Sequence, residues 1–459
     1  MVAPLPAVAF RRLGLPMEID LKPEYDNNNG WHEILAPLPE ATVLTGDVTC
    51  DYIVIGGGYS GLSATRRLAE LDPSASVVLI EGDRIGNNAA GRSSGFAIDH
   101  AHNLRAKSFA DAQAAAIAGV TMNRAGLEYL DHTIASNNID CQWVKEGKYH
   151  AAATSRGEGM LDNFAESLDA IGEDYSVALA AECEETFGTR YYTRALHAPH
   201  SYLVQPAAMV RGLAATMPDN VSVYEDSMVT SVDYGHEGPG NTAHTVHTAR
   251  GSASAPVIVL ATNGFTEGFG FLQKHLIPLI TWGSLTRELT DDESERLGGH
   301  ESYGIIAAHP AGSSIRRVTT PNNRILVRNI FSFSKRSDFT SRVDWAAKSH
   351  RKAFVNRWPQ IKDVPFSHSW GGALSLSRNG EPVFGELRPN VYGTVVHNGV
   401  GIARGTISGK LLAEMIMGED SELLRQMQAK GRPNKNLPFQ DLGVRINARA
   451  RRIIAGREE

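Results

Sequence analysis

The chain has 459 residues, of which 42% are hydrophobic and 21% are charged, and its formal net charge is -6. This composition is typical of a globular protein, and the small negative charge gives no indication of a nucleic-acid partner. No apolar run is long enough to span a membrane, and the widely spaced Cys50, Cys141 and Cys183 suggest neither a disulfide framework nor a C-x-x-C pair. We therefore expect a cytoplasmic protein without a metal site.

Residues 1–45 are predicted to form an irregular N-terminal leader. The segment contains several prolines and the run Asn27-Asn28-Asn29-Gly30, which favour turns over regular structure. We expect it to wrap the surface of the protein or of a partner subunit, so an oligomer is possible.

A strand–helix–strand unit is predicted between residues 52 and 81. The apolar run 52–55 indicates a buried parallel strand, a helical pattern of apolar residues follows over 62–71, and 76–80 indicates a second strand that leads into Glu81. The turn between the first strand and the helix has G-x-G-x-x-G spacing. Five residues of this turn are candidate cofactor-binding residues: Gly56, Gly58, Tyr59, Ser60 and Gly61.

Each part of this unit suits a dinucleotide. Gly56 permits the tight turn, Gly58 lets a pyrophosphate approach the backbone, and Gly61 lets the helix pack closely on the strand. The helix N-terminus offers free N–H groups to the phosphates. Glu81 can accept hydrogen bonds from a ribose and disfavours a 2′-phosphate, so the ligand is predicted to be FAD or NAD, not NADP.

A second glycine-rich loop, residues 86–95, favours FAD over NAD. It consists almost entirely of small residues and carries one cation, so a flavin and its phosphates can lie against its backbone. Its last five residues are further candidate cofactor-binding residues: Gly91, Arg92, Ser93, Ser94 and Gly95.

With this loop the sequence resembles the glycine/D-amino-acid oxidase superfamily of FAD-dependent flavoproteins, and within it most closely the γ-glutamylputrescine oxidase-like oxidoreductases. That family has a G-x-x-A-S-G-R-N-G-G loop after the second strand. Here Ala90 replaces the usual Ser and Ser93-Ser94 replaces Asn-Gly, which puts details of flavin contact in doubt. Sarcosine-oxidase relatives tether FAD through a C-terminal Cys, but the last cysteine here is Cys183, so the resemblance implies non-covalent FAD.

The resemblance extends to three later segments. Residues 220–232 are predicted to form a strand whose end contacts adenine, 257–260 form the return strand of the nucleotide-binding domain, and a G-x-G loop with the following helix start faces the pyrimidine end of the flavin. The candidate residues in these segments are Val229, Ala261, Thr262, Gly399, Val400, Gly401 and Ile402.

The fold implied by the resemblance is α/β, with a Rossmann-like FAD-binding domain of the GR2 type interleaved with a mostly antiparallel α+β substrate domain. Alternating residues on either side of Pro321-Asn322-Asn323 predict a hairpin in the substrate domain. The expected segments are 1–45 for the leader, 46–105, 205–265 and 370–430 for the FAD-binding domain, 106–204 and 266–369 for the substrate domain, and 431–459 for a C-terminal tail.

The resemblance implies oxidation of a C–N bond by hydride transfer to flavin N5, giving an imine that hydrolyses. Trp370, Arg378 and Trp282 are the candidate substrate-site residues, with core packing or surface exposure as the alternative for each. Tyr149, His150 and Arg328 are possible pocket residues that the sequence does not separate from sheet residues, and the His100/His102 pair is expected in a surface loop or at the site entrance.

Two other classes stay open at this point. An NAD-dependent dehydrogenase accounts for the first unit but not for the loops at 86–95 and 399–401. A non-catalytic flavoprotein, or a subunit of an electron-transfer complex, fits the altered flavin loop. The resemblance implies a small amine or amino acid as substrate, and oxygen or another oxidant as the electron acceptor.

Overall fold

The computed structural model describes residues 16–24, 28–100, 109–235, 243–319, 322–333, 337–338 and 341–459. In chain order, the strands are β1 (Met17–Glu18), β2 (Pro23–Glu24), β3 (Gly46–Thr49), β4 (Tyr52–Ile55), β5 (Val77–Ile80), β6 (Phe96–Ala97), β7 (Lys148–Ala152), β8 (Ser176–Leu179), β9 (Arg194–Ala198), β10 (Tyr202–Leu203), β11 (Val221–Tyr224), β12 (Ser231–Asp233), β13 (His244–His247), β14 (Gly251–Ala255), β15 (Val257–Leu260), β16 (Leu276–Thr286), β17 (Tyr303–Ala307), β18 (Ser314–Val318), β19 (Arg324–Arg328), β20 (Phe331–Phe333), β21 (Ser337–Asp338), β22 (Phe366–Ser377), β23 (Val383–Arg388) and β24 (Val391–Val395). The α-helices are α1 (Gly30–Glu33), α2 (Tyr59–Leu71), α3 (Phe109–Ser136), α4 (Ser155–Ile171), α5 (Ala180–Phe187), α6 (Pro206–Ala215), α7 (Asp291–Leu297), α8 (Val343–Arg357), α9 (Gly401–Ile416), α10 (Glu422–Gln428) and α11 (Gln440–Ala455).

A six-stranded sheet in the order β11-β5-β4-β15-β24-β23 forms the centre of the nucleotide-binding half. Its strands are parallel except for the β23–β24 pair. Helices α2 and α9 pack against each other on one face, where they share a buried apolar core with β4 and β5. The strands predicted at 52–55 and 257–260 are confirmed, and the second strand of the first unit begins one residue later than predicted, at Val77.

The strand predicted over residues 220–232 is wrong. Strand β11 belongs to the six-stranded sheet, whereas β12 lies in a separate five-stranded sheet with β1, β13, β14 and β3. The chain turns between them because Asp226 adopts a left-handed φ of 48° and the Ser227 hydroxyl donates to the carbonyl of Glu225 at 2.8 Å. Val229 therefore lies in a connection between two sheets.

The substrate half contains a nine-stranded sheet in the order β20-β16-β19-β18-β17-β7-β9-β8, with β22 also paired to β16. All pairs are antiparallel except β7–β17, which agrees with the expected mostly antiparallel domain. The predicted hairpin is confirmed as β18–β19, in which Arg316 pairs with Leu326. Residues 370–377, which we assigned to the FAD-binding domain, continue β22 and pair with β16 in this sheet.

The described part of the leader is more ordered than predicted. Strand β1 pairs with β12, strand β2 pairs with β21, and the side chain of Trp31 in α1 is fully buried. The end of the chain is also packed, because the side chain of Glu458 is buried against the start of α4. Within the described ranges, none of the helices combines the length and the apolar character needed to cross a bilayer.

Candidate functional site

A cavity of about 370 Å³ lies between the two halves of the molecule. Its wall is formed by the carboxyl ends of β4, β5, β15 and β24 on the nucleotide-binding side and by residues of β16, β18, β19 and β22 on the other side. This volume lies in the range of roughly 300–1,000 Å³ that is usual for small-molecule and cofactor sites. A cleft outside the carboxyl ends of parallel strands is the position at which open α/β sheets bind ligands.

Glu81 marks one end of this cavity, directly after β5. Its buried carboxylate accepts hydrogen bonds from the backbone N–H of Gly57 at 2.7 Å, from the Asn88 amide at 3.0 Å and from the N–H of Asp83 at 3.2 Å. Burial raises the pKa of Glu81, and these hydrogen bonds act in the opposite direction. The carboxylate is thus fixed in position beside the phosphate-binding turn.

Gly56 and Gly61 of the first turn are required for close packing, and Gly56 and Gly58 line the cavity. A Cβ on Gly61 would lie 1.8 Å from the carbonyl oxygen of Gly56, and a Cβ on Gly56 would lie 2.7 Å from that of Ala261. Gly56 also has a φ of 109°, which disfavours any side chain. Gly58 lines the cavity, where a Cβ would meet only the Ala90 methyl group at 3.7 Å.

Arg92 braces the second glycine-rich loop. Its guanidinium donates to the carbonyl and side-chain oxygens of Asn87 at 2.6 and 2.8 Å and to the carbonyl of Gly371 at 3.0 Å, which ties the loop to β22. Gly91 and Gly95 are needed for packing, since a Cβ would lie 2.0 Å from the Gly86 carbonyl and 2.1 Å from the Arg316 guanidinium respectively. The loop backbone is therefore held in one shape.

The leader supplies a second brace, which the sequence did not predict. The Asn29 amide donates to the carbonyls of Gly86 and Gly91 at 3.0 and 3.1 Å, and Trp31 Nε1 donates to the carbonyl of Ser93 at 2.8 Å. The sequence offered one signal for this contact: a single tryptophan, Trp31, two residues after Asn29 in a segment predicted to be irregular.

The loop before α9 forms another part of the cavity wall. Gly399 and Gly401 line the cavity, and a Cβ on either would meet no atom within 4 Å, so both glycines face open space. Helix α9 begins at Gly401 without a side-chain cap, which leaves its first N–H groups available to a ligand. His397 Nε2 lies 2.7 Å from Ser60 Oγ, and burial lowers the pKa of His397 to about 3, so the ring is neutral.

The wall formed by the large sheet carries one charged side chain of particular interest, Arg328 at the end of β19. Among the described residues, no carboxylate lies close enough to its guanidinium to raise its pKa. Burial lowers the pKa of Arg328. The neighbouring cavity residues Thr281, Ile306 and Ser314 are neutral, so the guanidinium provides the positive charge of this wall.

The three predicted substrate-site side chains lie outside the cavity lining. Trp370 is buried behind the second glycine-rich loop. Its indole N–H donates to the carbonyl of Arg92 at 3.1 Å, and its ring packs edge-on against Trp31. Trp282 points to the opposite face of β16 from Thr281 and donates to Ser332 Oγ at 3.2 Å. Arg378 lies in the turn after β22.

Of the predicted cofactor residues, most line the cavity and four do not. Gly61, Gly91, Gly95 and Val400 lie behind the wall. The lining includes Gly56, Gly58, Tyr59, Ser60, Glu81, Arg92, Ser93, Ser94, Val229, Ala261, Thr262, Gly399, Gly401 and Ile402. The lining residues that the sequence did not indicate include Ile19, Leu21, Lys22 and Pro23 of the leader, together with Asn88 and Met228.

His100 is not a cavity residue and not a surface residue. It is buried beside Asp99, and these two side chains with Glu173 place ligand-type atoms within 4.8 Å of one another. Arg124 contacts both carboxylates, and the Lys148 ammonium lies 3.8 Å from Asp99. Arg124 and Lys148 balance the charges of the two carboxylates, so the cluster forms a buried ion-pair network. His102 lies outside the described residues.

Comparisons with known proteins agree with this geometry. Residues 51–415 match the model of the family described as "FAD dependent oxidoreductase". The chain is 26% identical over 389 residues to "Probable oxidoreductase OrdL" of Haemophilus influenzae, covering 81% of this chain and 84% of the relative. It is 26% identical over 383 residues to "Gamma-glutamylputrescine oxidoreductase" of Escherichia coli, covering 82% and 85%.

Among solved structures, glycine oxidase from Geobacillus kaustophilus superposes with a TM-score of 0.66 at 17% identity, covering 82% of this chain and 96% of that one. This likeness supports the fold and the two-part architecture around the cavity. The family match spans both glycine-rich loops and most of α9, which an NAD-dependent dehydrogenase would not explain. The chain therefore belongs to the family of FAD-dependent oxidoreductases, and its cofactor is FAD.

Proposed function

We propose that the protein oxidises the C–N bond of a small amine that also carries a carboxylate group, such as an amino acid or a γ-glutamylated diamine. The observation that carries this proposal is Arg328, which lines the cavity without an acidic partner among the described residues. A planar guanidinium binds a carboxylate through two parallel hydrogen bonds, and the interaction is strong in a buried site.

The relatives support the same class of substrate. γ-Glutamylputrescine and glycine, named for the Escherichia coli relative and the Geobacillus structure, each contain an amine and a carboxylate. From these relatives we carry over to this protein only the presence of an amine and a carboxylate in the substrate.

The residues of the nucleotide-binding half would hold FAD without a covalent bond. Glu81 would accept from the ribose hydroxyls, and the uncapped start of α2 beyond Gly58 would face the pyrophosphate. Gly399 and Gly401 leave room for a ring, and the start of α9 would stabilise negative charge on it. None of the three buried cysteines lines the cavity, in keeping with non-covalent binding.

Bound FAD would supply the two-electron oxidation, with flavin N5 as the hydride acceptor and the carbon next to the substrate nitrogen as the donor, and the imine product would hydrolyse in water. The side chains of the protein would mainly position the substrate and would not take part in acid–base catalysis. Arg328 would fix the carboxylate end of the substrate, and the neutral wall around Thr281, Ile306 and Ala373 would exclude water and favour the uncharged amine. His397 is neutral and bonded to Ser60, so it would orient the turn without transferring a proton.

The first test is the absorbance spectrum of the purified protein, followed by anaerobic addition of paired amines. Bands near ~370 and ~450 nm would report bound flavin. Each pair contains the same amine with and without a carboxylate: glycine with methylamine, D-alanine with ethylamine, and γ-glutamylputrescine with putrescine. We expect bleaching by at least one carboxylate-bearing member and by none of the partners without one. Recovery of colour in air then separates an oxidase from a dehydrogenase.

Arg328→Lys and Arg328→Gln make the test specific to the guanidinium. We expect Arg328→Gln to raise KM by about 30- to 150-fold, because a buried charge-assisted pair contributes roughly 2–3 kcal/mol. Arg328→Lys should recover part of this loss. Bleaching by the amines without carboxylates, or an unchanged KM in Arg328→Gln, contradicts the proposed substrate class. FAD binding without bleaching by any amine would favour a non-catalytic subunit.

A further inference from the structure

The outward face of α11 carries an apolar stripe that the described part of the chain leaves uncovered. Leu442, Ile446 and Ile453 follow one another at helical spacing, and their side chains are 56%, 60% and 73% exposed. Phe439, which precedes the helix, and Ile454, which follows Ile453, are exposed apolar side chains near the two ends of the stripe. Branched apolar side chains on the solvent face of a helix are the reverse of the usual arrangement, and a contiguous exposed apolar patch marks an interaction surface.

A row of arginines runs along one side of this stripe. Arg445, Arg449 and Arg452 occupy positions i, i+4 and i+7 of α11, so they form a ridge parallel to the apolar residues. Arg452 also lies 5.3 Å from the ring of the partly exposed Trp345 on α8, with Arg342 6.0 Å from that ring. The surface therefore combines isoleucine, leucine and tryptophan with a border of guanidinium groups.

The helix is held in a defined orientation. Val444 on its inner face packs on the apolar cluster of β16 and β22, and Ala455 is buried. Beyond the helix, Glu458 accepts from the N–H of Ala153 and the hydroxyl of Thr154, which anchors the chain end in the substrate half. The apolar stripe is thus presented outwards by a helix fixed along its inner face and at its end.

We propose that this surface, defined by Trp345, Leu442, Arg445, Ile446, Arg449 and Ile453, seats the protein on a membrane surface that contains anionic lipid. Apolar side chains would enter the boundary between headgroups and acyl chains, and the arginines would contact lipid phosphates. This inference does not depend on the proposed amine oxidation.

Charge favours lipid over a second copy of the chain. Paired helices of two copies usually place opposite charges beside the apolar seam. On α11 the seam is bordered by arginines, and Glu459, which lies near this row, is already paired with Arg452. In a two-fold pair of α11 helices, the arginines beside the stripe would therefore lack acidic partners. An anionic bilayer supplies lipid phosphates at the level where the apolar side chains enter it.

The test is sedimentation of the intact holoprotein with vesicles of phosphatidylcholine alone and of phosphatidylcholine mixed with phosphatidylglycerol. We expect binding to the anionic vesicles that weakens as salt is raised, and little binding to the neutral ones. The double variant Arg445→Gln/Arg449→Gln should weaken binding roughly 30-fold, because each arginine near the membrane surface contributes about 5-fold to the affinity. Ile446→Ser/Ile453→Ser should abolish it.

The matched control is Val177→Ser/Leu179→Ser, which removes two exposed apolar side chains from β8. It should bind like the unaltered protein, and circular dichroism and flavin absorbance should show all variants folded. Equal binding to neutral and anionic vesicles, unchanged binding of the arginine variant, or no binding at low salt would overturn the proposal. A dimer in light scattering that the isoleucine variant abolishes, without vesicle binding, would assign the surface to a second copy instead.

Discussion

Trp31 links a residue of the leader to the shape of the cofactor loop. Its indole N–H donates to the Ser93 carbonyl at 2.8 Å, its own carbonyl accepts from the Gln205 amide, and its ring lies against the Arg316 guanidinium at 5.3 Å. These contacts involve a loop backbone that lines the cavity. A residue far from any predicted motif therefore bears on how tightly FAD is held.

We predict that Trp31→Phe lowers FAD affinity about 5- to 30-fold, because the Ser93 carbonyl loses its donor at a cost of roughly 1–2 kcal/mol. The matched control is Trp358→Phe, which removes a similar bond of 3.0 Å from a buried tryptophan to Phe187, away from the cavity. Titration of the apoprotein with FAD, followed by fluorescence, measures the effect. Equal affinities for the two variants would show that the leader does not position the loop.

We predict that the buried side chain of His350 makes the protein less stable in acid. The ring is fully buried, its Nδ1 lies 2.7 Å from Ser284 Oγ, and burial, aided by the charges of Arg328 and Arg452, lowers its pKa to about 3. Between pH 6.5 and 3 the unfolded chain takes up a proton that the folded protein does not. The free energy of unfolding therefore falls as pH falls, by up to about 1.4 kcal/mol per pH unit from this group.

Urea unfolding at a series of pH values measures this dependence. In His350→Gln we expect the slope of the free energy of unfolding against pH to be smaller by about one proton between pH 6 and 4.5. The variant is less stable at pH 7 if the Ser284 bond is not replaced. A slope identical to that of the unaltered protein would show that His350 is protonated in the folded state.

At the scale of elements, the contact between α2 and α9 sets the shape of the cofactor site. A Cβ on Gly409 of α9 would lie 2.1 Å from the carbonyl of Ser60 on α2, and Ser60 lines the cavity. The backbones approach this closely only because Gly409 lacks a side chain. The two helices, each of which points its N-terminus at the cavity, are therefore coupled through one glycine.

We predict that Gly409→Ala destabilises the protein by about 1–3 kcal/mol through overpacking and lowers FAD occupancy. The control is Gly159→Ala in α4, where a Cβ would meet nothing within 4 Å and alanine favours the helix by up to ~1 kcal/mol. Thermal unfolding and the ratio of flavin to protein absorbance check both variants. A Gly409→Ala protein as stable as the control would mean that the helices separate freely.

The sequence predicted the elements whose signal is local. The apolar run 52–55 and the helical pattern over 62–71 are each readable in one short window. The strand is confirmed, and the helix is confirmed but begins three residues earlier than that pattern, at Tyr59. The turn at Asp226 was missed because a left-handed aspartate leaves no periodic trace. The sequence did not indicate Thr281, because successive strand residues face opposite sides and the sequence does not say which side of β16 meets the cavity.

At the scale of the whole molecule, the chain end closes the substrate half. The carbonyl of Arg457 accepts from the Tyr191 hydroxyl, and that of Glu458 accepts from the N–H of Ser313 at 2.8 Å. The Glu458 carboxylate accepts from Thr154 Oγ1 at 2.7 Å. These contacts reach three separate parts of the substrate half, and the sequence had suggested only a tail.

Deletion of residues 457–459 should therefore lower the free energy of unfolding by several kcal/mol, since at least eight hydrogen bonds to the rest of the protein are lost and buried partners are left unsatisfied. Glu458→Gln keeps the shape and one acceptor oxygen, so a smaller loss of about 1 kcal/mol is expected. Denaturant unfolding measures both. A deletion variant as stable as Glu458→Gln would show that the terminal contacts contribute little.

The leader also bears on how the protein is made. Met17 pairs with Val232 and Pro23 pairs with Ser337, so the first described residues of the chain find their partners only after more than two hundred, and then more than three hundred, further residues have been synthesised. Ile19 and Leu21, which lie between these pairs, are part of the cavity wall. During translation the N-terminal half emerges with an incomplete cofactor site. Tight capture of FAD therefore belongs to the last stage of biosynthesis, when most of the polypeptide has left the ribosome.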